Sequence, residues 1–381
     1  MKILLGHLGS FGDCLCATTV ARQIKHDYPS CHLTWAIGSA FRSAIDLNPY
    51  VDDVWEIPAS NLDAVMAVWP SFEREAEERK ARGEFDKVFF TQILPANAGN
   101  YDGTVRSSIF RNYPGTITVP IAPVLRLSAG EVERVRTFAK AHCLKEKTAV
   151  ILFECEPRSG QSSMTLGFAL DVARRVVSSF PRACVILSSN LRFASDDERI
   201  VDGSVLSFRE NAELTNYCSL LVGCSSGISW LCTSEAAKPL PSIQLIRTDA
   251  YCFASIVDDH RYFGLSCENI IELGEVNRAQ LAACVLKALA DGIPAAKALY
   301  HRRLRGTYRH FDDMELEYLR TGRIAESLRF LKFHLQRHGV RLRFLFWPVH
   351  RLLKKILSPV RTNGKSGVLV TESVEHRNEK P

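Results

Sequence analysis

Three loops in this 381-residue chain bring glycine, hydroxyl and charged residues together where chemistry could be done. The first is Gly6-His-Leu-Gly-Ser-Phe-Gly-Asp13. It follows the apolar run Ile3 to Leu5, which reads as a buried parallel strand. It precedes a helical pattern with Ala17, Val20, Ala21 and Ile24 on one face. Strand, glycine turn and helix open a doubly wound α/β domain, whose ligand crevice lies at the carboxyl ends of the strands. Asp13 stands at that end, where an ionisable side chain can trade protons with a ligand. It can equally be an N-cap or first-turn carboxylate that complements the helix dipole. A dinucleotide fingerprint ending at Gly12 would need glycine where His7 stands, so a nicotinamide or flavin site is disfavoured.

The second loop is Gly223-Cys-Ser-Ser-Gly-Ile-Ser-Trp230. A buried strand ends at Gly223, and Ser225, Ser226 and Gly227 stand where the next helix begins. Free N–H groups and a helix dipole make such a turn receptive to phosphate. A Ser N-cap with a glycine-permitted tight turn accounts for the same residues. Trp230 fits a core position, and also a stacking platform beside that phosphate. The third loop, Glu154 to Ser163, carries Arg158, Ser159, Gly160 and Gln161. Arg158 suits a diphosphate; as a solvated surface arginine it does nothing.

These loops need a frame, and the hydrophobic pattern supplies two. Strands are expected at His32–Ile37, Val51–Ile57 and Asp86–Gln92, with a charged helix over 72–83 and a proline- and glycine-rich stretch over 94–123. The capping box Ser128-Ala-Gly-Glu131 opens a helix to about His142. Alternation then restarts, with strands at Ala149–Phe153, Cys184–Ser188, near Val205, Leu220–Gly223, Ser242–Ile246 and Asn269–Leu273. Helices are expected over 166–179, 211–218, 227–236 and 277–291. Two α/β units in succession imply two doubly wound domains facing each other across a cleft.

Composition narrows the class. With 46% hydrophobic residues there is material for two cores. No apolar run reaches the ~20 residues of a spanning helix, and the N-terminus goes directly into a strand rather than a signal peptide. A cytoplasmic protein is expected. Twelve cysteines occur without C-x-x-C, which reads as reduced, structural thiols rather than zinc or disulfides. No D-x-D is present to hold a divalent ion on a diphosphate.

The opening Lys2-Ile-Leu-Leu-Gly-His-Leu-Gly-Ser-Phe-Gly-Asp13 resembles the strand and L-G-x-x-G-D of glycosyltransferase family 9, the heptosyltransferase-like enzymes of the GT-B fold. Tyr28-Pro through Asn48-Pro-Tyr-Val-Asp-Asp-Val54, Pro123-Val-Leu-Arg-Leu127, and Glu213-Leu to Pro239 are similar in matching order, so the resemblance covers roughly residues 1 to 295. It implies an acceptor-side domain with the loop Gly9, Ser10, Gly12, a nucleotide-sugar domain, and inverting transfer without metal or cofactor. The resemblance makes Asp13 the catalytic base. It also implies donor-phosphate binding at Ser225, Ser226, Gly227 and Trp230 and at Arg158, Ser159, Gly160 and Gln161. The family's second turn reads D-[ST]-G-x-x-H. This chain has Ser225 for the aspartate, Trp230 for the histidine, and Gln161 where many members carry lysine. The donor contacts are rewritten, and the implied donor is a nucleotide sugar in general rather than ADP-heptose. A glycan or lipid-linked glycan acceptor, of a bacterial cell-surface polysaccharide or lipopolysaccharide, follows from the same likeness. A nucleotide-sugar epimerase of GT-B architecture and an idle GT-B-like sugar-binding scaffold are the alternatives.

The expected organisation is an acceptor-side Rossmann-like domain over 1–125, a linker and helix over 126–147, and a nucleotide-sugar domain over 148–300. A basic amphipathic tail over 301–360 and a disordered end over 361–381 follow. Residues 323–357 carry nine Lys or Arg against Glu326, a net +8 in a chain of net +6. The basicity is local and argues for one attachment surface, not nucleic acid. Ile324, Leu328, Leu331 and Leu335 share one helical face. Phe344-Leu-Phe-Trp347 adds an aromatic run, and Pro348 starts a second helix with Val349, Leu352, Leu353, Ile356 and Leu357 as its stripe. An anionic membrane surface at the inner face of the cell membrane is the expected partner, and packing on the core is the alternative.

Overall fold

The computed structural model describes residues 1–93, 98–157 and 160–347. Arg158, Ser159, the expected helix after Pro348 and the expected disordered end lie outside the described residues.

Two parallel sheets organise the chain. The first has the order β3-β2-β1-β4, from β1 (Lys2–Gly6), β2 (His32–Gly38), β3 (Asp53–Ile57) and β4 (Lys87–Phe90). Ile3, Leu4 and Leu5 are fully buried, as a central strand covered on both faces requires. Helices α1 (Phe11–Asp27), α2 (Leu62–Ala81) and α3 (Arg106–Arg111) flank this sheet. The charged helix starts ten residues earlier than its pattern, continuing through Pro70. The stretch expected to be loop contains α3, whose Arg106 is buried.

The capping box forms as expected and starts α4 (Ala129–Ala141), which leads to the second sheet. Its order is β10-β9-β8-β5-β6-β7, from β5 (Ala149–Glu154), β6 (Ala183–Ser188), β7 (Ile200–Asp202), β8 (Leu220–Gly223), β9 (Ser242–Leu245) and β10 (Ile270–Leu273). With it come α5 (Leu166–Ser179), α6 (Glu210–Leu214), α7 (Gly227–Leu231), α8 (Ile256–Tyr262) and α9 (Arg278–Tyr300). Helix α9 has the length and hydropathy of a membrane span, but Leu281, Ala282, Cys284 and Val285 bury its inner face in the second core. All twelve cysteines are free thiols.

Strand order reverses beside β1 in the first sheet and beside β5 in the second. Asp13, at the start of α1, and Glu154, at the end of β5, therefore stand at the two switch points, where open α/β sheets hold ligands. The two halves also share a core, since Trp230, Ile256, Val257 and Ile270 join the cluster built on β1 and α1.

The tail folds back. Helices α10 (Arg309–Arg320), α11 (Ile324–His338) and α12 (Leu342–Leu345) enclose Phe311, Met314, Tyr318, Phe330, Phe344 and Trp347 with Ala98 and Tyr101 of the first half. Asp102 is fully enclosed and accepts from Arg111 Nη2 at 2.8 Å and Arg337 Nε at 2.7 Å. The expected apolar face of α11 is thus corrected. Ser327, Phe330 and His334 point inward with Leu331 and Leu335 beside them, while Ile324 and Leu328 remain exposed. Aromatic partners on α10 and α12 select the face that buries Phe330, rotating the helix away from its aliphatic stripe.

Candidate active site at the domain boundary

Asp13 is the third residue of α1, and its carboxylate turns back to the backbone N–H and hydroxyl of Ser10. The loop beneath it is held by Gln92, whose Oε1 accepts the N–H groups of Leu8 and Gly9 at 3.0 Å each. Glycine is required at position 9, because a Cβ there would meet the Phe41 ring at 2.5 Å. Loss of hydration pushes the Asp13 carboxyl up to about 6, against the downward pull of the Ser10 bonds. A carboxylate so placed takes up a proton near neutral pH. The same geometry satisfies the helix-start reading, since Asp13 caps the Ser10 N–H.

The second glycine turn differs from its expectation. Glu154, at the end of β5, inserts its carboxylate into the N-terminus of α7. It accepts from Cys224 N at 2.9 Å, Ile228 N at 2.9 Å and the Ser229 hydroxyl at 2.6 Å. The N–H groups expected to hold a phosphate already hold a carboxylate of this chain. Ser225 is fully buried; its N–H goes to Gln244 Oε1 at 2.9 Å and its hydroxyl to the Ala254 carbonyl. Ser225 therefore shapes the turn and presents nothing to the crevice. Ser226, the N-cap without a side-chain cap bond, stays half-open with Gly227 and Ile228.

Trp230 is core. A Cβ on Gly12 would stand 3.7 Å from both Gly227 Cα and Trp230 Cδ1, so the two glycine turns abut. The Arg106 guanidinium lies 5.2 Å from the Trp230 ring centroid, and its Nη2 pairs with Asp259 of α8. Phe11 and Phe208 pack against each other across the same boundary, tilted by 36° with centroids 4.7 Å apart.

Of the third loop, Gly160 is exposed with φ +66°, and Gln161 lines the boundary. The Cys252 thiol is hydrogen-bonded to Gln161 and Tyr101 and feels the charge of Asp13; burial pushes it up to about 12, so it stays protonated. Gln161 Oε1 is buried without a partner. Structure thus gathers Asp13, Ser10, Gly12, Gly227, Trp230 and Gln161 at one boundary. It adds Glu154, Gln92, Tyr101, Arg106, Phe208 and Cys252, which sequence reasoning missed. Gln92 had a legible signal, a polar residue closing the expected strand Asp86–Gln92 of the first sheet. The others act over long separations and had none.

Another interdomain clamp sits beside this boundary. Arg209 binds Glu131 Oε1 at 2.6 Å and the carbonyls of Ser43 and Asp46 at 3.0 and 3.1 Å. Burial works against ionisation of Glu131, but Arg209 and Ser128 hold its carboxyl down to about 2.

Two facing parallel-sheet domains with a shared boundary are the GT-B architecture. The fold is similar to that of a family 9 glycosyl transferase from Veillonella parvula DSM 2008, with TM-score 0.52 and 14% identity over 78% of this chain and 94% of that one. It is similar also to ADP-heptose lps heptosyltransferase II of E. coli, with TM-score 0.50 and 13% identity over 77% and 98%. At these identities the likeness is one of fold. No protein-family model and no curated protein sequence matches the chain.

Proposed function

We propose that this protein is a glycosyltransferase that moves a sugar from a nucleotide-sugar donor to a glycan acceptor. The observation that carries the reading is the Asp13 carboxylate, held by Ser10 at the switch point of the first sheet and raised to about 6. In this reading Asp13 removes the proton from an acceptor hydroxyl. That oxygen attacks the anomeric carbon, the bond to the departing nucleotide breaks, and the configuration inverts. In the same reading Ser226, Gly227 and Gln161 meet the donor. The acceptor class is a cell-surface glycan of the lipopolysaccharide or polysaccharide kind, and transfer proceeds without metal.

Glu154 favours one second reading. A carboxylate at the α7 N-terminus repels a diphosphate, as it would in a sugar-binding scaffold that no longer transfers. A panel of radiolabelled nucleotide sugars, scored for donor hydrolysis and for the anomeric configuration released, decides between them. Slow, inverting hydrolysis that Asp13→Asn abolishes is expected. Sugar binding without turnover establishes the scaffold, and recovery of an epimerised donor overturns both.

A further inference from the structure

We propose that residues 340–346 form a lipid-facing wedge that seats the chain on an anionic membrane surface. The inference does not depend on the transfer reading. Helix α12 is pinned from within, since Phe344 is fully buried and Trp347 nearly so against the tail core. Its outer side carries Leu342 at 74% exposure, Leu345 at 47% and Phe346 at 56%, next to Val340 at 80%. Single exposed apolar residues are ordinary; four within seven residues, on an anchored element, mark an interaction surface.

Charge selects the occupant. Arg341, Arg343, Arg351, Lys354 and Lys355 follow within fifteen residues, and no acid occurs between Glu326 and Glu372. On α11, Arg329 and Lys332 are exposed and make no ion pair with an acid among the described residues. A second copy of the chain would bring the same cations against these and be repelled. A nucleic acid would answer the cations but leave the aliphatic and aromatic groups in water. An anionic bilayer answers both, with headgroups for the cations and acyl chains for Leu342, Leu345 and Phe346. Of the stretch expected to lie on lipid, α11 is therefore largely spent on packing, and the lipid-facing part narrows to α12 and its flanks.

The test sediments the full chain with vesicles of phosphatidylcholine alone, or with about a third phosphatidylglycerol. Partition at least ~10-fold stronger onto the anionic vesicles, weakened by salt, is expected. The double substitution Leu342→Asp, Phe346→Asp should remove ~10-fold or more of that partition with unchanged melting, because both side chains are exposed. Partition indifferent to lipid charge, or indifferent to the double substitution, overturns the proposal. So does concentration-dependent dimerisation that the substitution abolishes, which would give the face to a second copy.

Discussion

Arg106 of α3 and Asp259 of α8 form an ion pair between the two halves of the molecule, with side chains only 1% and 3% exposed. One oxygen of Asp259 and the Nε of Arg106 have no partner, so the two groups depend on each other. A buried pair of this kind is costly to break from one side and cheap to replace from both.

Arg106→Ala should therefore lose about 3–5 kcal/mol, because it strands a buried carboxylate. The double change Arg106→Leu, Asp259→Leu should recover most of that loss. Denaturant unfolding of the three proteins is the measurement, and equal losses in single and double variants would contradict the dependence.

Asp13→Asn should reduce turnover about 10²–10⁴-fold, the range of a general base. If the native protein transfers sugar as proposed, its rate should fall as pH drops through about 6. The stability effect runs the other way. A carboxyl raised from 3.8 to about 6 stabilises the fold fully below pH 3.8 and less as pH rises through 6. At pH 7 the Asn variant should thus be more stable, by something on the order of 1–3 kcal/mol, and the gain should vanish in acid. Thermal melts across pH check this.

Glu154→Ala should cost about 2–5 kcal/mol, since it leaves the N–H groups of Cys224 and Ile228 without an acceptor. It should also turn the α7 N-terminus into an anion site. Inorganic phosphate should raise the melting temperature of the variant and not of the native protein.

Gly227→Val should displace Phe208, its neighbour in the second half, and so disturb the Phe11–Phe208 contact across the boundary. A Cβ there would stand 3.0 Å from Phe208 Cε2, so the added side chain meets Phe208 before any ligand. Small-angle scattering should show the two halves parted, and Phe208→Ala should relieve the defect.

The tail should loosen in acid. Burial holds His334 and His338 down to about 4, with Asp102 pulling upward and Arg337 assisting the depression of His338. Their neutral forms stabilise the docked tail fully above pH 6.5, and that support is lost as pH falls towards 4. Arg111 and Arg341 also face this cluster. Glu315, pushed up to about 7 by burial, titrates in the opposite sense, its support being lost as pH rises from 4.5 through 7. Glu315→Gln should leave the histidine step alone. Fluorescence of Trp347 against pH reads both.

Much of the frame was legible because it is local. Ile3 to Leu5 and Ala149 to Phe153 are buried on both faces and read as strands directly. Ser128 and Glu131 form their capping box from residues three apart. Asp13 was legible for the same reason, its glycine loop and helix being contiguous. Glu154 was not. Its carboxylate caps an N–H seventy-four residues away, and nothing beside it separates that role from a surface acid. Helix α10 was hard to place because Phe311, Met314 and Tyr318 stand among charged residues, and Asp312 and Glu315 are themselves buried once the tail docks. The turn at Ser225 looked like an empty anion site because a sequence does not show which of its own acids will fill it.

Contact of the two glycine turns has a kinetic meaning. Between Gly12 and Gly227 there is room for little more than a methyl group, since a Cβ on Gly12 would already stand 3.7 Å from Gly227 Cα, and Phe11 packs on Phe208 beside it. A sugar or nucleotide is wider than that gap, so a ligand that is to pass between the two turns must wait until the halves part. Its observed association rate should then level off at high concentration, at a ceiling set by the frequency of opening and shared by ligands of unrelated affinity.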